Sequence, residues 1–154
     1  MTADDGEREK DGAYGAGGTA AAGARLVENL VARVPGFEQS YECHVFNESG
    51  ALPHVFFWDV VQDTVRSYLG TGDPSGPDWQ RVLAFLEEET QRRVPGALEV
   101  IVTSFLHDLP YPGEPGFGIE VHLGPAMKER YLWLRPWYGV EAPVRRTPSG
   151  DGRP

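Results

Sequence analysis

The groups in this 154-residue chain best suited to catalysis or metal binding are four histidines, His44, His54, His107 and His122, and a single cysteine, Cys43. No two histidines stand three or four residues apart, and there is no His-Glu-x-x-His or Cys-x-x-Cys spacing, so neither a metal nor a cofactor is expected. Two histidines have an aspartate nearby: His54 with Asp59, and His107 with Asp108. An imidazole oriented by a carboxylate can act as a general base. On a helix, however, positions five apart face different ways and adjacent positions diverge. A catalytic site built from His54, Asp59, His107 and Asp108 would therefore need separate segments to converge. Cys43 and His44 do not face each other either, and a thiolate–imidazole dyad would have to take its base from His54, His107 or His122. Without one, Cys43 reads as a buried, inert thiol. Ser104 lacks the glycines of a nucleophile elbow. The glycine-rich stretches at 70–72 and 113–118 carry no phosphate-binding lysine and read as turns. No catalytic residue is assigned on these grounds, and the four-residue composite is the alternative.

Aromatic clusters are the stronger signal. Leu52-Pro53-His54-Val55-Phe56-Phe57-Trp58-Asp59 holds four apolar residues in a row, more than one helix face can bury. Trp133 to Tyr138 is a second aromatic-rich stretch. Exposed aromatic clusters mark interfaces, so Phe56, Trp133, Trp137 and Tyr138 are the candidate binding residues.

These residues must be carried by helices. Leu26, Val27, Leu30, Val31 and Val34 repeat with helical spacing and stop at Pro35. Phe37, Tyr41 and Val45 predict a short second helix, closed near 47–50. Pro53 opens a third, with Phe57, Trp58, Val61, Val65, Tyr68 and Leu69 expected on its apolar face. After a Gly/Pro loop at 70–77, Asp78 suits the N-cap of a fourth helix lined by Trp79, Val82, Leu83, Leu86 and Thr90. The run Glu87-Glu88-Glu89 is expected to be a solvated face, with Glu88–Arg92 and Glu89–Arg93 pairs. Residues 97–109 fit a helix better than a strand, and Pro125 starts another that reaches about Leu134. Residues 117–123 alternate and could be one short extended segment. Arg33-Val34-Pro35-Gly36 recurs as Arg93-Val94-Pro95-Gly96, which would mark two related halves if the repeat were structural. The expected fold is mainly α, a compact irregular bundle of five to seven short helices.

Residues 1–23 and 139–154 are rich in Gly, Ala, Pro and charge, and read as disordered tails flanking a helical domain at 24–138. The formal net charge is −9, and most of the acidity lies within the domain. That charge argues against nucleic acid and anionic membrane surfaces as partners and is compatible with a basic protein. A lone cysteine, no apolar leader and no membrane-length apolar run predict a cytoplasmic protein. Twelve Arg against two Lys, with abundant Gly, Ala and Pro, point to a GC-rich bacterial genome.

In order along the chain, Leu52-Pro53-His54-Val55-Phe56-x-x-Asp59, Ser104-Phe105-Leu106-x-x-Leu109 and Leu123-Gly124-Pro125 resemble an uncharacterised bacterial domain-of-unknown-function family over about Leu26 to Leu134. Members of that family have Glu after Ser-Phe-Leu, where this chain has His107. The resemblance implies a compact helical fold and transfers no catalytic residue. Small bacterial proteins of this kind serve as immunity or accessory proteins. The expected function is accordingly a protein-interaction module, immunity-like, acting through an acidic surface. A small enzyme or a structural accessory domain are the alternatives.

Overall fold

A computed structural model describes residues 16–48 and 52–135. Six α-helices follow one another: α1 (Ala16–Arg33), α2 (Glu38–Glu48), α3 (Pro53–Leu69), α4 (Trp79–Arg92), α5 (Pro95–Val100) and α6 (Pro125–Leu134). α5 runs directly into a π-helical segment, Ile101–Leu106, and a 3-10 turn, Ile119–His122, precedes α6. Among the described residues there is no β-strand, and no helix is long and apolar enough to cross a membrane.

The mainly α architecture agrees with the helical periodicity, and the start signals act where their chemistry predicts. Asp78 caps α4 by accepting from the Gln80 amide at 3.2 Å, and Pro53, Pro95 and Pro125 each occupy a first helical turn. The extended alternative at 117–123 is corrected. Of the four alternating apolar residues there, Ile119 and Leu123 are buried while Phe117 and Val121 are exposed. A 3-10 turn brings every third or fourth residue inward and so satisfies that pattern without a partner strand.

α1 begins at Ala16, inside the segment read as a disordered tail. Its alanines have high helix propensity, and its small residues allow close packing. Gly96 of α5 sits so near the Thr19 carbonyl that any Cβ there would overlap it. Gly23 leaves ordinary to tight contact distance to Pro53 and Val100. Tertiary contact with α5 thus supplies what the tail lacks in large apolar side chains.

The internal echo is not a structural repeat. Gly36 lies outside the helices in a turn at φ 112°, pressed against the backbone of Gly76 and Pro77. In the second copy Arg93 takes the left-handed position at φ 56°, and Pro95 and Gly96 are already helical. Identical tetrapeptides adopt different conformations because different neighbours press on them.

One core joins the helices. It includes Leu26, Val27 and Leu30 of α1, Phe56, Phe57, Val60 and Val61 of α3, Val82, Phe85 and Leu86 of α4, Ile101 and Phe105 of the π segment, and Met127 and Tyr131 of α6. The acidic run on α4 is not a uniform solvated face. Glu88 bonds Arg33 of α1 at 2.8 Å, and Glu89 is buried, with Arg92 at 3.6 Å. Glu87 crosses to α6 and accepts from the amides of Ala126 at 2.7 Å and Met127 at 2.9 Å. Gly124, at the N-cap of α6, has no side chain to offer those amides, so a carboxylate from another helix caps it.

The C-terminal end of the π segment is closed by Arg135, whose residue is only 2 % exposed. Its guanidinium donates to the carbonyls of His107 and Pro110, both at 3.0 Å, to the Leu109 carbonyl, and to the Tyr131 hydroxyl at 2.8 Å. Its carbon lies 3.9 Å from the Tyr111 ring centroid, stacked as a cation on a π face. Burial raises the pKa of the Tyr131 phenol above its ordinary value, and the Arg135 charge pulls it back down. Arg135→Ala would strand three carbonyls and a phenol, and we expect a loss of about 3 kcal/mol in denaturant unfolding. Arg135→Lys, with one point donor in place of a fork, should recover only part of it. Glu87→Ala should cost about 1 kcal/mol, in line with removal of a helix cap.

Candidate functional site

α3 presents three faces to three environments. Phe56, Phe57, Val60, Val61 and Thr64 point into the core. The expected apolar face was turned too far round the helix: Trp58 is 56 % exposed and Leu69 is also exposed. Together with Leu52 and the half-exposed Val55, Trp58 forms an apolar ridge along the first turns of α3.

Beside that ridge a polar groove runs between α2 and α3. Two depressions of about 380 and 490 Å³ share Gln39, Ser40, Asp63 and Arg66. One contains Val55, Asp59 and Cys43; the other continues to Glu38, Asp73 and Ser75. Cys43 is exposed, which corrects the reading of it as a buried thiol. It falls on the groove side of α2, while His44 beside it is buried. The His44 Nε2 accepts the Leu52 amide at 3.0 Å and its ring packs on Phe56, so this histidine anchors the chain ahead of α3.

Asp63 sits at the centre of the groove. Arg66 lies 3.3 Å from its carboxylate, and the Ser40 hydroxyl donates at 3.5 Å, the long limit for such a bond. Burial raises its pKa; the Arg66 charge opposes this, and the nearby Asp59 carboxylate adds to it. The groove is therefore acidic and imperfectly compensated, with one cation among four carboxylates: Glu38, Asp59, Asp63 and Asp73.

The composite catalytic set is not brought together as a unit. His54 and Asp59 are five residues apart on α3, about 140° round the helix. Asp59 enters the groove with α2, whereas His54 faces the π segment and lines a separate depression with Gly23, Gly96 and Glu99. There the His54 Nδ1 lies 2.6 Å from the Ser104 Oγ, with the Thr103 hydroxyl at 3.5 Å. His107 and Asp108 bond each other at 3.1 Å. Among the described residues no three His, Cys, Asp or Glu side chains gather as a metal-holding group.

The aromatic candidates also divide. Phe56 is corrected: it is 0 % exposed, wedged among Phe37, Tyr41 and His44, and cannot touch a partner. Trp133 is 80 % exposed on α6 beside the exposed Leu132. Trp137 and Tyr138 lie outside the described residues. Val55 and Trp58 were missed as surface residues, although they belong to the same apolar run. That run exceeds one helix face, and its surplus is what emerges at the surface.

Asp63 yields a signed prediction. A carboxyl whose folded-state pKa is raised binds a proton in the native state that the unfolded chain has released. The associated stability is fully present below the unfolded pKa and is lost as pH rises through the folded one. Asp63→Asn should therefore flatten the decline in melting temperature above about pH 4 and leave the neutral-pH protein as stable as the wild type or more so. Asp59→Asn should flatten it partly, since Asp59 contributes only one part of the shift.

No protein-family model, no curated protein and no solved structure matches this chain.

Proposed function

We propose that the domain is a protein-interaction module that receives a basic, amphipathic segment of a partner protein on α3. The observation that supports this is the adjacency of the Leu52–Val55–Trp58 ridge to the acidic groove. Val55 and Asp59 line the same depression, so one strip of surface offers apolar area beside carboxylates. Apolar side chains of the partner would cover Val55 and Trp58, while its Lys or Arg groups would reach Asp59 and Asp63. Exposed tryptophans carry a disproportionate share of interface energy. Charge complementarity chiefly speeds encounter and excludes wrong partners. A cytoplasmic, immunity-like role, in which the partner's basic surface is occupied, fits this chemistry.

Capture from a lysate of the source cell would compare the wild type with Trp58→Ala and Asp59→Lys, each checked for an intact helical melt. One stoichiometric partner is expected. Its affinity should fall roughly thirtyfold in Trp58→Ala, the equivalent of about 2 kcal/mol, and should weaken with salt and in Asp59→Lys. Capture that is indifferent to both substitutions would remove the proposal.

The 2.6 Å contact between His54 and Ser104 favours a second reading, a small acyl-transfer enzyme. An imidazole at that distance can take the hydroxyl proton as the serine oxygen attacks an ester carbonyl, and can return it to the alcohol that leaves when the ester C–O bond breaks and the acyl-serine forms. Against it, Ser104 is only 6 % exposed. A fluorophosphonate should label Ser104 in the wild type and not in His54→Ala if this reading is right. An unlabelled wild type would leave the pair as a tie between α3 and the π segment.

A further inference from the structure

Away from the groove, three aromatic rings from three elements meet edge to face. Tyr68 of α3 and Trp79 of α4 have centroids 5.1 Å apart at 84°. Trp79 and His122 of the 3-10 turn are 4.9 Å apart at 63°, and Tyr68 and His122 are 5.7 Å apart at 60°. Trp79 and His122 both line an open depression of about 380 Å³. Leu83 and Ala84 are its apolar residues besides the rings, and Gln80, Glu87 and Gly124 complete the lining. None of these residues lines the α2–α3 groove.

Two rings inclined at 63° on the lining of one depression make a notch, and Tyr68 packs against both. Indole presents the strongest π face among the side chains to a cation. Glu87 brings a formal negative charge that is held in place, since its oxygens already accept from Ala126, Met127 and the Gln91 side chain. A carboxylate occupied in this way has little capacity left for the directed hydrogen bonds that a primary ammonium or guanidinium requires, yet its field remains. Aromatic faces, an apolar wall and a charge felt without a hydrogen bond are what a methylated ammonium group needs, because it is cationic, apolar at its surface and has no N–H to satisfy.

We propose that the Trp79–His122 notch binds the quaternary ammonium group of a small soluble ligand. Binding is by cation–π contact with Trp79, methyl contact with Leu83 and Ala84, and attraction to Glu87. The site is independent of the interaction reading for α3 and can fail without affecting it.

The test uses the full chain at mildly alkaline pH, with ligand-observed NMR as the readout in every protein and the Trp79 indole resonance as a second readout wherever Trp79 is present. Choline is titrated against 3,3-dimethylbutan-1-ol, its neutral isostere, and against ethanolamine, its primary-amine counterpart. Choline should give a saturable response with Kd on the order of 1 mM, cation–π contact, methyl contact and the Glu87 charge together. The isostere and the primary amine should each bind at least tenfold more weakly. His122→Leu removes one wall at an exposed position and should weaken choline severalfold with the melt unchanged. Trp79→Phe keeps the packing and should weaken it further. Equal response to choline and its isostere would reduce the notch to an apolar dent and overturn the proposal. Equal response to choline and ethanolamine, or unchanged choline binding in both variants, would overturn it as well.

Discussion

A single guanidinium, that of Arg135, gathers the end of this fold. Just past the π segment, the chain at 107–110 turns with carbonyls that no helix pairs. Arg135 supplies a fork of donors to the carbonyls of His107, Leu109 and Pro110 at once, and to Tyr131 one turn back on its own helix. The oxygens are neutral, so the bond set is not a salt bridge. It is a positive charge placed at the negative end of a helix, where the aligned peptide dipoles favour it, with an aromatic face over it as a further partner. That charge adds to the placement of α6, whose apolar residues do not form a clean stripe. Met127 and Tyr131 are its two buried side chains.

α6 is consequently held at both ends by groups from outside it or beyond it. Glu87 of α4 satisfies its first amides, and Arg135 just past its last turn ties its far end to the turn at 107–110. Both devices are ionic and both are sheltered, which makes them stronger than the exposed Arg33–Glu88 and Arg66–Asp63 pairs. α3 has a different place in this arrangement. It contributes the central core residues, yet it leaves Trp58 and Val55 outside and keeps an under-compensated Asp63 beside them. A helix so well anchored through Phe56 and Phe57 can carry an unfavourable outer face, and surfaces used for binding commonly do.

What was legible in the sequence was local. Pro35, Pro53, Asp78 and Pro125 act through their own backbone or within a turn of it, so their roles could be read from their positions. The mainly helical class followed from periodicity for the same reason. Which face of α3 turns inward could not be read this way, because Phe56, Phe57 and Trp58 are equally apolar and the neighbouring helices choose between them. The roles of Glu87 and Arg135 were hidden by distance: Glu87 serves amides 39 and 40 residues further on, and Arg135 serves carbonyls more than 20 residues back. A serine without an elbow gave no sign of its histidine 50 residues away. The separation of His54 from Asp59 was already contained in their spacing, whereas the divergence expected of the neighbours His107 and Asp108 is overcome by side chains that reach each other at 3.1 Å.

The π segment has a consequence of its own. A π turn accommodates one more residue than an α turn over the same rise, and its mark is the bond from the His107 amide back to the Val102 carbonyl, five residues earlier, at 3.1 Å. The end of the segment is rotated by about 100° from where an unbroken α-helix would put it. The segment thus sets the phase between two otherwise independent tasks. Ahead of it, α5 meshes with the small residues of α1; within it, Phe105 packs on Phe57 of α3, and just past it the carbonyls of His107, Leu109 and Pro110 meet Arg135. Deleting a single residue between 101 and 106 would leave the composition almost unchanged, yet Phe105 and the turn at 107–110 would then address the wrong neighbours. Length, at this one place, carries as much information as residue identity.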